Sequence, residues 1–349
     1  MTATAVRPRL RPIRLGQAIE RASLAVVLLG LAIWLVANVV KDPSRFFTVL
    51  LEGLNNGALY ALIALGYTLV YGIIELINFA HGDLFMLSSV LSAHMAAQWL
   101  GLKSPGVAAA FTLLLVILAT MLFGALVNVG AEFFAYRRLR SAPKLAPLIT
   151  AVGLSFIFQG IGLRSWATGS APRQWPTVLP HDGFRIAGVL VRWSLLVVLV
   201  VTALLLTGLT YIVQRTQQGR AMRATAQDQD GARLMGINVN RTISFTFALG
   251  GAMAGAAGVL YVQTIGTTRY DSGFQLGLIA FTAAVLGGIG NLVGAVVGGI
   301  LIGLIQGLND GAPYGLGQKW SQTVVFAILI LVLVFKPEGL FGRRVAEKV

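Results

Sequence analysis

SGFQLGLIAFTAAVLGGIGNLVGAVVGGILIGLIQGLN, residues 272–309, runs for 38 residues without an Asp, Glu, Lys or Arg, and Gly287-Gly288-Ile289-Gly290-Asn291 interrupts it near the middle. One unbroken helix of that length would measure about 57 Å at about 1.5 Å per residue, nearly twice the ~30 Å hydrocarbon core of a bilayer. The stretch is therefore predicted to be a membrane hairpin of two short helices. Irregular backbone at membrane depth is tolerated only where it is buried in protein or lines a cavity. That makes Gly287, Gly288, Gly290 and Asn291 candidates to line a solute pathway.

The rest of the chain has the same character. Of its 349 residues, 56% are hydrophobic and 11% charged, against about 25% charged in soluble domains. Charge clusters separate the stretches 22–40, 53–74, 84–102, 104–131, 145–163, 193–214, 242–268, 272–309 and 320–335, all free of Asp, Glu, Lys and Arg. Most have the length a spanning helix needs. The expected fold is all-α, a polytopic transmembrane bundle of about ten membrane segments with no separate soluble domain. A soluble all-α protein would have to bury all this apolar surface in a single core.

Cysteine is absent, so disulfides and thiolate metal sites are not available. The net charge of +14 points to lipid rather than nucleic acid, because basic residues flanking spans set orientation. Arg7, Arg9, Arg11, Arg14 and Arg21 place the N-terminus in the cytoplasm. Alternation then puts the clusters 137–144, 215–241 and 336–348 on the same side, with eighteen of the 27 Lys and Arg. The last cluster falls inside only if 272–309 crosses an even number of times, so both termini are expected to be cytoplasmic. Residues 22–40 read as a retained signal anchor; the Arg-rich, acid-poor tail also has the composition of a transit peptide.

Helices in lipid associate through close contact of small residues. Gly290, Gly294 and Gly298 recur at intervals of four, as do Gly299, Gly303 and Gly307, while Gly251/Gly255 and Gly53/Gly57 repeat the spacing. Two adjacent stripes on one helix predict neighbours on two sides.

Glu75-Leu76-Ile77-Asn78-Phe79-Ala80-His81-Gly82-Asp83 joins two spans but has no Lys or Arg and is too apolar for a solvated loop. It is expected to fold back into the membrane or line a cavity, with Asn78, His81, Gly82 and Asp83 meeting water or solute. A short turn with Asn78 or Asp83 capping the next helix fits equally. Asn55 and Asn56, adjacent amides in an apolar span, require partners on other helices or a wet cavity.

Residues 214–241 form the longest expected cytoplasmic loop, with a short helix ended by Gly236. Ala221, Met222, Ala224 and Ala232 are small or flexible apolar residues among charges, suited to a groove on a soluble partner. The alternative is a solvated, positively charged loop.

Three motifs in order now carry a resemblance. Gly219-Arg220-Ala221-Met222-Arg223-Ala224 with Asp228, Ala232 and Gly236-Ile237 resembles the coupling loop of ABC-importer permeases for branched-chain amino acids, of the LivH type. Asn55 to Leu62, Gly66-Tyr67 and Ile77 to Asp83 resemble the N-terminal half of that family, and Gly287 to Gly299 its C-terminal glycine region. The resemblance spans roughly 46–341, leaving 1–45 as an extension and 342–349 as a tail. It implies a bacterial inner-membrane permease subunit without cofactor. Its implied partners are a homologous second permease, two cytoplasmic ATPase subunits and a periplasmic or lipid-anchored binding protein. Gly219, Arg220, Arg223, Ala224, Asp228, Ala232 and Gly236 would contact the ATPases.

Urea-type permeases share much of the pattern, with Met-Ala-His-Gly-Glu where this chain has Phe79-Ala80-His81-Gly82-Asp83, so a urea or short-amide permease is the alternative within the family. No Gly-x-x-x-x-Gly-Lys-Ser/Thr loop occurs, which assigns nucleotide hydrolysis to another polypeptide. A stand-alone secondary transporter or channel is the competing class; broken helices favour it, and only Glu52, Glu75, His81 and Asp83 are candidates for ion coupling. A membrane-embedded enzyme would need paired carboxylates or a His cluster, and the chain has three His in all.

Overall fold

The computed structural model describes residues 15–75, 78–101, 106–140, 142–143, 145–164, 171–176, 178–179, 183–186 and 188–342. Most of the basic N-terminal tail, Leu76 and Ile77 of the joining segment, Lys144 and the basic residues after Gly342 lie outside them.

The chain is a bundle of α-helices: α1 (Leu15–Lys41), α2 (Pro43–Ile74), α3 (Ala80–His94), α4 (Val107–Ala131), α5 (Leu145–Gly162), α6 (Trp193–Arg215), α7 (Gln217–Gln227), α8 (Gln229–Leu234), α9 (Val239–Ile265), α10 (Ser272–Gly287), α11 (Leu292–Gly311) and α12 (Ser321–Phe335). Among the described residues, four short strands cap one end. β1 (Arg173–Gln174) pairs antiparallel with β4 (Thr267–Thr268), and β2 (Gly183–Ile186) with β3 (Val189–Arg192).

Among the described residues, seven helical stretches are long and apolar enough to cross a bilayer: 43–74, 109–139, 145–162, 193–215, 239–265, 292–311 and 318–335. Residues 29–41 and α10 are shorter apolar helices. Seven stretches, rather than the expected ten or so, qualify on length and composition among the described residues.

Charge and capping set the helix ends. Asp42 caps α2 by accepting from the Arg45 backbone N–H at 2.9 Å, with Pro43 in the first turn, where its missing N–H costs nothing. Asn238 and Asn291 cap α9 and α11 in the same way.

α2 and α9 occupy the middle of the bundle, whereas α6 and α12 show most of their surface outward. On α4, Phe111, Leu115, Leu118, Leu122 and Leu126 are exposed. An outward apolar face of this kind suits lipid and would be unfavourable in water.

Glycine sets the packing. On α11, Gly299, Gly303 and Gly307 lie against Ala61, Gly57 and Gly53 of α2, while Gly294 and Gly298 lie against Gly287 and Ala283 of α10. Two neighbours are thus received, although Gly290, the first glycine of one expected stripe, lies in the break before α11 and not on the helix. A Cβ on Gly57 would stand 2.7 Å from the Ile300 Cα, a distance side chains do not tolerate. The same antiparallel contact recurs between α4 and α9, where Gly124 meets Gly251 and Thr120 meets Gly255. α11 thus sits on α2 much as α4 sits on α9.

The starts of α3 and α10 meet inside the bundle. A Cβ on Gly82 would stand 2.5 Å from the Gly273 carbonyl oxygen and 2.7 Å from the Gly277 Cα. Gly82, expected to line a pathway, is therefore a close-packing residue between these helices.

Candidate functional site

The first group of residues surrounds the start of α3. α2 ends with Glu75 in a left-handed conformation, φ 52°, its N–H bonded to the Tyr71 carbonyl at 2.8 Å. The chain then turns back along α2, and the His81 ring fills the notch left by Gly66, where any Cβ would collide with it. Gly66 precedes the end of α2 by eight residues, about 12 Å of helix. α3 therefore starts alongside the middle of α2 and not at its end.

Burial there is nearly complete. Asn78 is 4% exposed, His81 1% and Asp83 0%. The Tyr136 hydroxyl donates to Asn78 Oδ1 at 2.7 Å. Ser155 Oγ and Gln159 Nε2 of α5 donate to the Asp83 carboxylate, the latter at 3.2 Å. The His81 ring lies edge-on to Tyr67, centroids 4.8 Å apart, and interacts with the Ile63 backbone of α2. Among the described residues no cluster of His, Asp and Glu could hold a metal ion.

The second group lies elsewhere. Asn55 is eleven residues before Gly66 on α2, about 16 Å along the helix, so it is not brought to the His81 cluster. Asn55 is buried, its Oδ1 without a donor, and it borders a pocket between α2, β3, α6 and α9. Asn56 is half-buried on α2.

The third group, Gly287 to Asn291, separates α10 from α11, with φ +101° at Gly288 and +89° at Gly290. The following segment closes over it. Leu340 and Phe341 donate their N–H groups to the Leu286 and Gly287 carbonyls at 2.8 and 3.0 Å, and Asn291 Nδ2 donates to the Phe341 carbonyl at 3.0 Å. A Cβ on Gly72 would stand 3.4 Å from the Gly290 Cα, which places this break near the end of α2 where the segment joining α2 to α3 begins.

The fourth group is the helix pair α7–α8. Thr216 caps α7, accepting from the Gly219 N–H at 3.0 Å, and Gly219 fits tightly against the end of α6. Asp228 caps α8, accepting from the Asp230 N–H at 3.0 Å. Gly236 ends the pair at φ +79°, a left-handed conformation that disfavours most side chains. Arg220 and Arg223 are exposed, and Arg223 donates to the Val213 carbonyl.

Two of the apolar residues expected to dock outward face inward instead. Met222 is 2% exposed and Ala232 4%, both packed on the bundle's own core. The outward apolar residues are Leu234, 89% exposed, and Met235, 83% exposed. The sequence shows both beside Gly236, but helical phase alone does not say which side of a two-helix loop faces out.

A further cluster carried no signal beyond its charges. The Glu132 side chain is fully buried at the end of α4 and pairs with Arg137 and Arg140. Ser244 Oγ of α9 donates to it at 2.7 Å, and Arg140 donates to Asn240 Oδ1 at 2.7 Å. The bases read as orientation signals also fasten α4 to the start of α9, directly after α8.

Residues 49–333 match the family described as branched-chain amino acid transport system, permease component. The high-affinity branched-chain amino acid transport system permease protein BraD of Pseudomonas aeruginosa is 40% identical over 311 residues, covering 87% of this chain and 98% of the relative. The corresponding permease protein LivH of Escherichia coli K12 is 39% identical over 315 residues, with coverage of 87% and 98%. The autoinducer 2 import system permease protein LsrC of Yersinia pestis is more distant, 29% identical over 176 residues, half of this chain. No solved structure matches. The chain belongs to the branched-chain amino acid permease family.

Proposed function

We propose, with family membership as the premise, that this chain is a membrane-spanning subunit of an ATP-driven importer for branched-chain amino acids, fed by an extracytoplasmic binding protein. The observation that carries the mechanism is the α7–α8 pair. It projects Arg220, Leu234 and Met235 from the bundle, while Met222 and Ala232 anchor its inner face. A lever of that form transmits force from a separate motor. The chain has no phosphate-binding loop of its own.

The proposed arrangement has two cytoplasmic ATPase subunits, a second homologous permease, and about ten membrane segments in the bacterial inner membrane, with both termini cytoplasmic. Residues 46–341 form the permease domain in this reading. ATPase closure moves α7–α8, and the Glu132 ion pairs pass the displacement from the start of α9 to the end of α4. The glycine seams, with little side-chain interdigitation, allow α2, α9 and α11 to shift as units. Solute passes from the Asn55–Asn56 end towards Asn78, His81 and Asp83, and leaves near Gly287 to Asn291. Recognition rests mainly on the binding protein, so the pathway requires only weak affinity.

The test is leucine uptake into liposomes. Uptake is expected to need the binding protein, both permeases and ATP, and Arg220→Ala or Gly236→Ala should separate ATP hydrolysis from uptake at unchanged membrane abundance. Leucine uptake by this chain alone, driven by a Na⁺ or proton gradient, would overturn the proposal.

A further inference from the structure

A second polar site lies at the end of the bundle opposite α7 and α8. It is a pocket of about 70 Å³ between α2, β3 and the outer ends of α6 and α9. Leu190, Arg192, Ser194 and Thr264 are shared with a wider cavity of about 420 Å³ beside Trp175.

The charges in it are unusual. Glu52 of α2 and Arg192 of β3 both line the pocket and both are exposed, yet neither enters an ion pair among the described residues. Asn55, three residues after Glu52, falls on the same face of α2. Its buried Oδ1 receives no hydrogen bond. The remaining wall combines the aliphatic side chains of Leu51, Leu190 and Leu195 with the hydroxyl residues Thr48, Ser194 and Thr264. A few convergent polar groups against an aliphatic wall are the usual make-up of a small-molecule site.

We infer that this pocket binds an α-amino acid as its zwitterion, carboxylate to Arg192 and ammonium to Glu52 and Asn55 Oδ1. A guanidinium fork matches a carboxylate in two parallel hydrogen bonds. An ammonium has three donors and no acceptor, which suits an acid and an amide oxygen that lack donors of their own. The aliphatic side chain of the ligand then meets the three leucines. The site would receive substrate on the face opposite the motor, before passage through the bundle. This inference rests on the amino-acid importer reading.

The test is saturation-transfer NMR on the assembled permease–ATPase complex in nanodiscs, without binding protein, with millimolar L-leucine, isocaproate and isoamylamine as probes. Leucine binding is expected in the wild type and should weaken about tenfold or more in Arg192→Gln and in Glu52→Gln. Arg192→Gln should lose isocaproate and keep isoamylamine, and Glu52→Gln the reverse. Arg185→Gln, exposed on β2 and outside the pocket, should change none of the three. Equal leucine signals in the wild type and both pocket variants would overturn the inference. So would the absence of a leucine signal in a complex that imports leucine. A complex that imports no leucine even with its binding protein would remove the importer reading, and this inference with it.

Discussion

The α2–α11 seam and the α8–α9 turn both depend on glycine, for different physical reasons. At the seam, Gly303 lies against Gly57 and Gly53 with no room for a Cβ, although its backbone is ordinary helix. At the turn, Gly236 has open space around its Cα, but its φ of +79° disfavours a side chain. The first requirement comes from another helix and the second from the residue's own backbone. Buried seams of this kind hold the bundle together, whereas the α7–α8 pair leaves Leu234 and Met235 exposed, on the side proposed to meet the ATPase. Substitutions in the two regions should therefore fail in different assays.

The largest effect is expected at the seam. Gly303→Leu should lower the amount of protein in the membrane more than about tenfold, because a well-packed interface cannot take the added volume without moving its backbone. Normal abundance on an immunoblot would mean that α2 and α11 are not in such close contact. Next, Leu234→Asp combined with Met235→Asp should leave abundance intact. Co-purifying ATPase should fall by about tenfold or more, since a buried apolar anchor at an interface commonly carries ~2 kcal/mol. Unchanged recovery of ATPase would show that α7–α8 touches its partner elsewhere.

A smaller effect separates packing from function at the start of α3. Gly66→Ala drives a methyl group into the His81 ring and should cost roughly 1–3 kcal/mol of stability, read as a lower thermal midpoint. His81→Ala added to Gly66→Ala should recover part of that loss. Additive losses in the double variant would show that the two positions are not coupled. The smallest effect is expected at the turn. Gly236→Val should cost about 1–2 kcal/mol, while Gly236→Asn, which tolerates the left-handed region, should cost only a few tenths. Equal stability of the two purified variants would remove the conformational argument.

The helices were legible because charge is so costly in lipid that charged residues mark the ends of spans. The stretches 145–163 and 193–214 became α5, 145–162, and α6, 193–215, with ends shifted by a residue or so. The two glycine stripes on α11 were legible for a related reason: helical periodicity is local, and intervals of four can be counted without knowing the partner. Gly82 was not. Its close approach to Gly273 and Gly277 joins positions almost two hundred residues apart. Asp83 was visible as an acid in an apolar setting, but its donors Ser155 and Gln159 are unremarkable residues of a distant helix. Leu234 and Met235 carry no mark in the sequence, because their exposure depends on how α7 and α8 fold against α6 and α9.

From its sequence alone, the chain determined that it is a helical membrane protein, roughly where most of its apolar helices lie, and that glycine stands between α10 and α11. Each of these follows from the local cost of placing charge or irregular backbone in hydrocarbon. Tertiary structure alone decided which polar atoms are satisfied and which are left open: Asp83 within its two hydrogen bonds, Asn55 with its Oδ1 unpartnered, Glu132 closed by two arginines. Hydrogen bonds and glycine contacts act over about 3 Å and join residues remote in sequence. Their pairing exists only once the helices have packed.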